Sequence, residues 1–149
     1  MTDSITFSHM DSEAELKACY PVMLELRTRL ASEEAFIAQV KRQQKAGYRI
    51  LAAREGGAIV GLAGYRITED SIHNRLLYVD DLVVTAAHQR GGIGGLLLEE
   101  VKRIAESAGL DTLALDTGMH MPLAQRFYFR QGLLALGLHF ATGLKRVAS

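Results

Sequence analysis

The sequence predicts a mixed α+β fold, neither doubly wound nor a helix bundle, and three observations carry that reading. Apolar residues recur at helical spacing through the first 45 residues. Between Tyr48 and Thr85 the period becomes that of strands, with a glycine turn at Glu55-Gly56-Gly57. A glycine-rich stretch then joins a Leu/Val strand to an amphipathic helix. A chain of 149 residues suits one compact domain over 1–149, and no repeat or Pro-rich linker divides it.

The elements follow in order. Ile5–Phe7 reads as a short first strand. From Ser12 to about Leu30, Leu16, Cys19, Met23, Leu26 and Leu30 mark one helix face. Asp11 or Ser12 is its N-cap, and Pro21 is expected to kink it or divide it in two. A second helix follows Ser32, with Phe36, Ile37 and Val40 on its apolar side and Gly47 as its stop. Tyr48–Arg54 and Ala58–Ile67 form a hairpin, a polar loop spans about Thr68–Arg75, and Leu76–Thr85 is the third strand of a meander. A helix carrying Leu97, Val101, Ile104 and Ala108 ends at Gly109. Thr112–Asp116 is a short strand, Pro122 opens another helix, and Gly132 closes it. Leu134–Leu144 returns to strand-like sequence.

Composition narrows the function. Seventeen basic residues balance seventeen acidic ones, so the global positive field that gathers nucleic acid or anionic membrane is absent. Lys41, Arg42 and Lys45 are read as a solvated helix face. No apolar run approaches the ~20 residues of a membrane helix, and the first residues lack a secretory pattern, so a cytoplasmic protein is expected. The lone cysteine, Cys19, falls on an apolar helix face and is expected to be a buried thiol. No Cys/His cluster has metal-ligand spacing, and no metal is expected.

The glycine-rich stretch is the most informative segment. Gly91, Gly92, Gly94 and Gly95 stand between a strand and a helix start. A helix start offers backbone N–H groups without internal partners and the positive end of the dipole. Glycines let a ligand reach that backbone, so Gln89–Gly95 is an anion cradle suited to pyrophosphate. No Lys-Ser or Lys-Thr follows Gly95, which excludes a P-loop, and the spacing does not fit the dinucleotide fingerprint.

Gln89-x-x-Gly92-x-Gly94 resembles the acyl-CoA signature of the GNAT N-acetyltransferase family. Ala124–Leu133, with Phe127-Tyr128 and Gly132, is similar to that family's A-x-x-F-Y-x-x-x-G-F/L segment, at a fitting interval. Tyr78–Val84 looks like its fourth strand. The match runs from about Leu76 to Leu133; the first seventy residues agree in their order of elements.

The resemblance implies a three-layer fold, with a central, mostly antiparallel mixed sheet flanked by helices and with its fourth and fifth strands splayed apart. It implies acetyl-CoA as cosubstrate, its pantetheine arm paired with the backbone of Leu82, Val83 and Val84. The pyrophosphate would meet Gln89, Arg90, Gly91, Gly92, Ile93, Gly94 and Gly95, with Arg90 adding a charge-assisted contact. Tyr128 is the expected general acid for the leaving thiolate. An alkyl ammonium, with a pKa near ~10.4, must lose a proton before it attacks. Asp80 and Asp81 are the candidate bases; neighbours on a strand face opposite ways, so one should face the cleft, and Asp80 is favoured. Met121 stands where relatives often carry an asparagine that contacts pantetheine; His120 is its candidate substitute.

The expected reaction is direct transfer of an acetyl group to a primary amine of a small molecule. The acceptor pocket would come from the first helices and the Thr68–Arg75 loop. A non-catalytic acyl-CoA sensor, or an enzyme acting on protein amines, is the alternative. Homodimerisation is common for the architecture and is a further expectation.

Overall fold

The structure, a computed structural model, describes residues 4–145. They fall into two compact units, one ending at Leu115 and one beginning at Asp116.

The first unit holds a five-stranded sheet in the order β1-β2-β3-β4-β5. The strands are β1 (Ile5–His9), β2 (Arg49–Glu55), β3 (Ala58–Asp70), β4 (Asn74–Val84) and β5 (Leu113–Leu115). All neighbours pair antiparallel except β4 and β5, which are parallel. The parallel pair needs a crossover, and α3 (Ile93–Ser107) supplies it. Helices α1 (Glu13–Leu26) and α2 (Glu33–Gln44) join β1 to β2.

Strand alternation builds two cores from one sheet. Ile50, Ala52 and Leu62 face the α1/α2 side, where they meet Leu16, Met23 and Phe36. Leu51, Ala53 and Ala63 face the other side, against Leu97 and Val101 of α3. This is the three-layer mixed sheet that the sequence implies. Cys19 is fully buried in the first core, and burial pushes its thiol up to about 12, so it stays protonated and inert.

Three boundaries depart from expectation. Pro21 does not divide the first helix: α1 runs unbroken through it to Leu26, with Pro21 on the exposed side. Its start is secured by a reciprocal cap in which Ser12 Oγ accepts from Glu15 N and Glu15 accepts from Ser12 N. The expected Thr68–Arg75 loop is instead a long hairpin, because β3 and β4 pair out to Asp70 and Asn74. Asp70 Oδ1 accepts from the amides of Ile72 and His73, and Asn74 takes a left-handed φ of 61°, so the turn is tight.

The second unit carries α4 (Pro122–Arg130), stopped by Gly132 at φ 89°. The strand expected at Leu134–Leu144 does not form. No partner strand is paired with it among the described residues, and without a ladder the period-2 pattern is not enough. Leu134, Leu136, Leu138 and Phe140 are all exposed.

Candidate active site

The geometry of the site begins with a slip in register. Gly64 of β3 pairs with Asp81, yet Tyr65 pairs with Val79, so Asp80 is an extra residue on β4. Such a bulge bends the strand and re-aims side chains. Strict alternation would send Asp80 and Asp81 to opposite faces; the bulge overturns that expectation. Both line one cavity of about 610 Å³, together with Arg27, Arg29, Phe36 and Tyr48.

The two carboxylates there have different work. Asp81 is held from three directions. Arg27 Nε donates to Oδ1 at 2.8 Å, its second nitrogen lies 2.7 Å from the same oxygen, and Tyr48 Oη donates to Oδ2 at 2.6 Å. Arg27 also donates to the Asp80 carbonyl at 2.8 Å, which ties the bulge itself to the end of α1. Burial, then the Asp81 charge, pushes the Tyr48 phenol far up, so it remains a donor. Asp80 is half-exposed, and its contact is Arg66 Nε at 3.1 and 3.3 Å. Burial raises its carboxyl above the ordinary value, against the lowering pull of Arg66. A carboxylate raised in this way is a stronger base than a solvated one.

Reading the sequence alone missed Tyr48, Arg27, Arg66 and Gly64. Gly64 carried the one available signal, a glycine inside a strand pattern. A Cβ there would overlap the Tyr48 phenol and sit 2.8 Å from Asp81 Oδ2. Residues of α1 and α2 wall this cavity. The Thr68–Arg75 segment does not, because it is drawn into the hairpin.

Downstream of the bulge, β4 parts from its parallel neighbour. The short β5 pairs only with Leu77, Tyr78 and Val79, so from Asp81 to Val84 strand β4 is paired with β3 alone. Val83 is buried on the α1/α2 side, while Leu82 and Val84 pack toward the α3 side. This fixes the strand and leaves one main-chain edge of Leu82–Val84 without a partner strand among the described residues.

The cradle follows directly. Thr85 N donates to Val60 O at 2.9 Å, and a single 3-10 turn, Ala86–His88, reverses the chain. Ala86 N is bound by Glu25 of α1 at 2.9 Å, and His88 is held by Thr85 Oγ1 at 2.8 Å. The Gln89 side chain donates to Val84 O at 3.3 Å, so it braces the loop. Gly92 is the N-cap of α3 at φ 77°, a left-handed conformation that favours glycine. Ile93 is buried in the core and pins the helix start. The first bond of α3 runs from Leu96 N to Gly92 O, so the amides of Ile93, Gly94 and Gly95 precede the intrahelical ladder. Gly91 and Arg90 are exposed beside them.

Tyr128 lies on α4 in the second unit, half-buried, with its ring 5.3 Å from that of Phe127. Burial alone raises its phenol, and no hydrogen-bond partner meets the hydroxyl among the described residues. In the preceding loop Gln125 Nε2 donates to the carbonyls of Gly118 and Met119 at 3.0 and 3.1 Å. Met121 is the N-cap of α4 and offers no side-chain cap. The His120 ring packs over Gly118, where a Cβ would approach it to 2.5 Å. Among the described residues no group of three or more His, Cys, Asp or Glu side chains is placed to hold a metal ion. Among the described residues no helix is long and apolar enough to cross a membrane.

A mixed sheet that opens beyond the bulge in its fourth strand, followed by a glycine-capped helix start, is the frame of an acyltransferase. The chain belongs to the Acetyltransferase (GNAT) family, whose sequence model matches residues 13–133. It is 35% identical over 125 residues to the uncharacterized N-acetyltransferase YhdJ of Bacillus subtilis (strain 168), covering 83% of this chain and 87% of that one. It is 39% identical over 100 residues to the human spermidine/spermine N(1)-acetyltransferase-like protein 1, across 67% of this chain and 13% of that protein. Among solved structures it is similar to the aminoglycoside N-acetyltransferase AAC(6')-Iy in complex with CoA, at a TM-score of 0.85, 15% identity and 97% coverage of each chain.

Proposed function

We propose that this acetyltransferase moves an acetyl group from acetyl-CoA to a primary amine of a small molecule, directly and within a ternary complex. The observation that carries the reading is the main-chain edge of Leu82–Val84, which no strand pairs among the described residues, between the Asp80 cavity and the amides that open α3. The pantetheine arm extends the sheet along that edge. The pyrophosphate takes the amides of Gln89–Gly95, with the Arg90 guanidinium beside them. The CoA complex of the similar aminoglycoside enzyme supports acetyl-CoA as donor, and its small-molecule substrate class supports a small acceptor.

The amine enters from the 610 Å³ cavity. Asp80 takes its proton, directly or through a water. The free amine attacks the thioester carbonyl, and a β4 amide steadies the oxyanion. The C–S bond breaks, Tyr128 protonates the departing thiolate, and the second proton shed by the nitrogen as the amide forms is passed through solvent to restore the phenol. No covalent enzyme intermediate is needed. The reaction belongs in the cytoplasm, beside the acetyl-CoA pool.

The test is thiol release from acetyl-CoA against a panel of amines, with wild type and Asp80→Asn side by side. Acceptor-dependent release that collapses in the variant supports the assignment. Tight acetyl-CoA binding without release for any amine points to a sensor instead.

A further inference from the structure

The acceptor cavity has an unbalanced wall. Two carboxylates reach it, Asp80 and Asp81, and neither is spare. Asp81 is neutralised by Arg27 and tied to Tyr48. Asp80 faces Arg66, which lines the adjoining recess together with Tyr48 and Asp80. Arg29, in the segment between α1 and α2, also lines the cavity and has no ion-pair partner among the described residues. The carboxylates nearest in sequence do not redress this. Glu33 lies 3.8 Å from Lys17, and neither Glu33 nor Glu34 is part of the wall.

Three guanidinium groups therefore answer two carboxylates, and the charge left over is positive. A polycation entering this space would meet that excess with no free acid to receive its remote ammonium groups. An acceptor that carries its own carboxylate would meet a planar donor able to bind it in two places. The rest of the wall mixes apolar Met23, Leu26, Leu30 and Phe36 with the uncharged polar side chains of Thr28, Gln39, Gln43 and Tyr48.

We propose that the acceptor is an amphoteric amine, a primary amine bearing a carboxylate, in the manner of a free amino acid. Arg29 binds the carboxylate and Asp80 faces the amine. The inference rests on the acetyl-transfer reading for the chemistry, but its binding part stands apart from turnover.

The experiment compares phenylalanine and leucine with phenylalaninamide and leucinamide, and with spermidine and neamine. The full-length protein is saturated with acetyl-CoA for turnover and with CoA for binding by titration calorimetry. The expected result is that the free acids exceed their amides by about tenfold or more in binding, and in kcat/KM. Arg29→Ala abolishes that preference through KM, with kcat little changed, while Arg29→Lys keeps part of it. Turnover that favours spermidine or neamine overturns the amphoteric assignment and leaves acetyl transfer standing. Equal binding of acid and amide, with or without turnover, overturns it as well. Absence of release with every amine, while the acids still bind in preference, removes the acetyl-transfer reading and keeps Arg29 as a carboxylate site.

Discussion

Tyr48 donates its phenolic hydrogen to Asp81 Oδ2 at 2.6 Å directly above Gly64, the residue paired with Asp81 across the ladder. The contact needs all three residues. The phenol occupies the space of a missing side chain, where a Cβ would lie 2.6 Å from Tyr48 Cζ. With Arg27 on the other carboxylate oxygen, the cluster locks β4 next to its bulge and thereby sets where Asp80 points.

Gly64→Ala should consequently be costly without touching any substrate. The added methyl group displaces a buried phenol, an overpacking worth about 1–3 kcal/mol, and breaks its bond to Asp81. Urea denaturation should show that loss. Tyr48→Phe, which only removes a hydroxyl, should cost less, about 1–2 kcal/mol. A Gly64→Ala protein as stable as the wild type would show that Tyr48 has room to move aside.

Asp80→Asn should separate stability from activity. Asp80 has its carboxyl raised in the folded protein, chiefly by burial. A raised group contributes stability fully present below its unfolded pKa and lost as pH rises through the folded one. At neutral pH the ionised Asp80 is thus a liability, and the asparagine variant should melt no lower than the wild type. Its turnover should nevertheless fall by roughly 10²–10⁴. A clear drop in Tm at pH 7 would mean that the Arg66 pair stabilises the fold more than burial penalises the charge.

The same electrostatics predict a shift in the pH–rate profile. Arg66 pulls the Asp80 carboxyl down against burial and the Asp81 charge. Arg66→Gln removes that pull, so Asp80 should hold its proton to higher pH. The acidic limb of kcat/KM should move upward, and the loss relative to wild type should be largest at low pH. An unmoved limb would separate Asp80 from the rate.

How far the sequence reached can be judged on these residues. The helix start at Gly92 was legible because its signal is local: glycines at a strand-to-helix junction expose amides whatever surrounds them. Both helix layers and the meander were legible from period alone. The bulge was not, because one extra residue on β4 leaves the apolar pattern of Leu76–Val84 intact and shows only in pairing with β3. The Arg27–Asp81–Tyr48 cluster joins residues 33 and 54 positions apart in the chain, beyond any local signal. At Leu134–Leu144 the opposite failure occurs. The alternation is clear, but a strand is a property of a pair, and no partner is supplied among the described residues.

Tyr128 gives the last test. Burial raises its phenol from the ordinary value, so it stays protonated throughout the neutral range and is available as an acid. Tyr128→Phe keeps the ring and its contact with Phe127 while removing the proton. If the tyrosine protonates the thiolate, kcat should fall by about 10²-fold with little change in acetyl-CoA affinity. The effect should shrink with a donor whose leaving thiol is more acidic, since a better leaving group needs less help from a proton. Stopped-flow thiol release with the two donors reads this out. An equal loss with both would indicate that Tyr128 positions the thioester rather than protonating it. The phenol's raised value also fixes the sign on the basic side: kcat should show no decline from this group across the neutral range, and its loss as the acid ionises should come at higher pH than for an ordinary tyrosine.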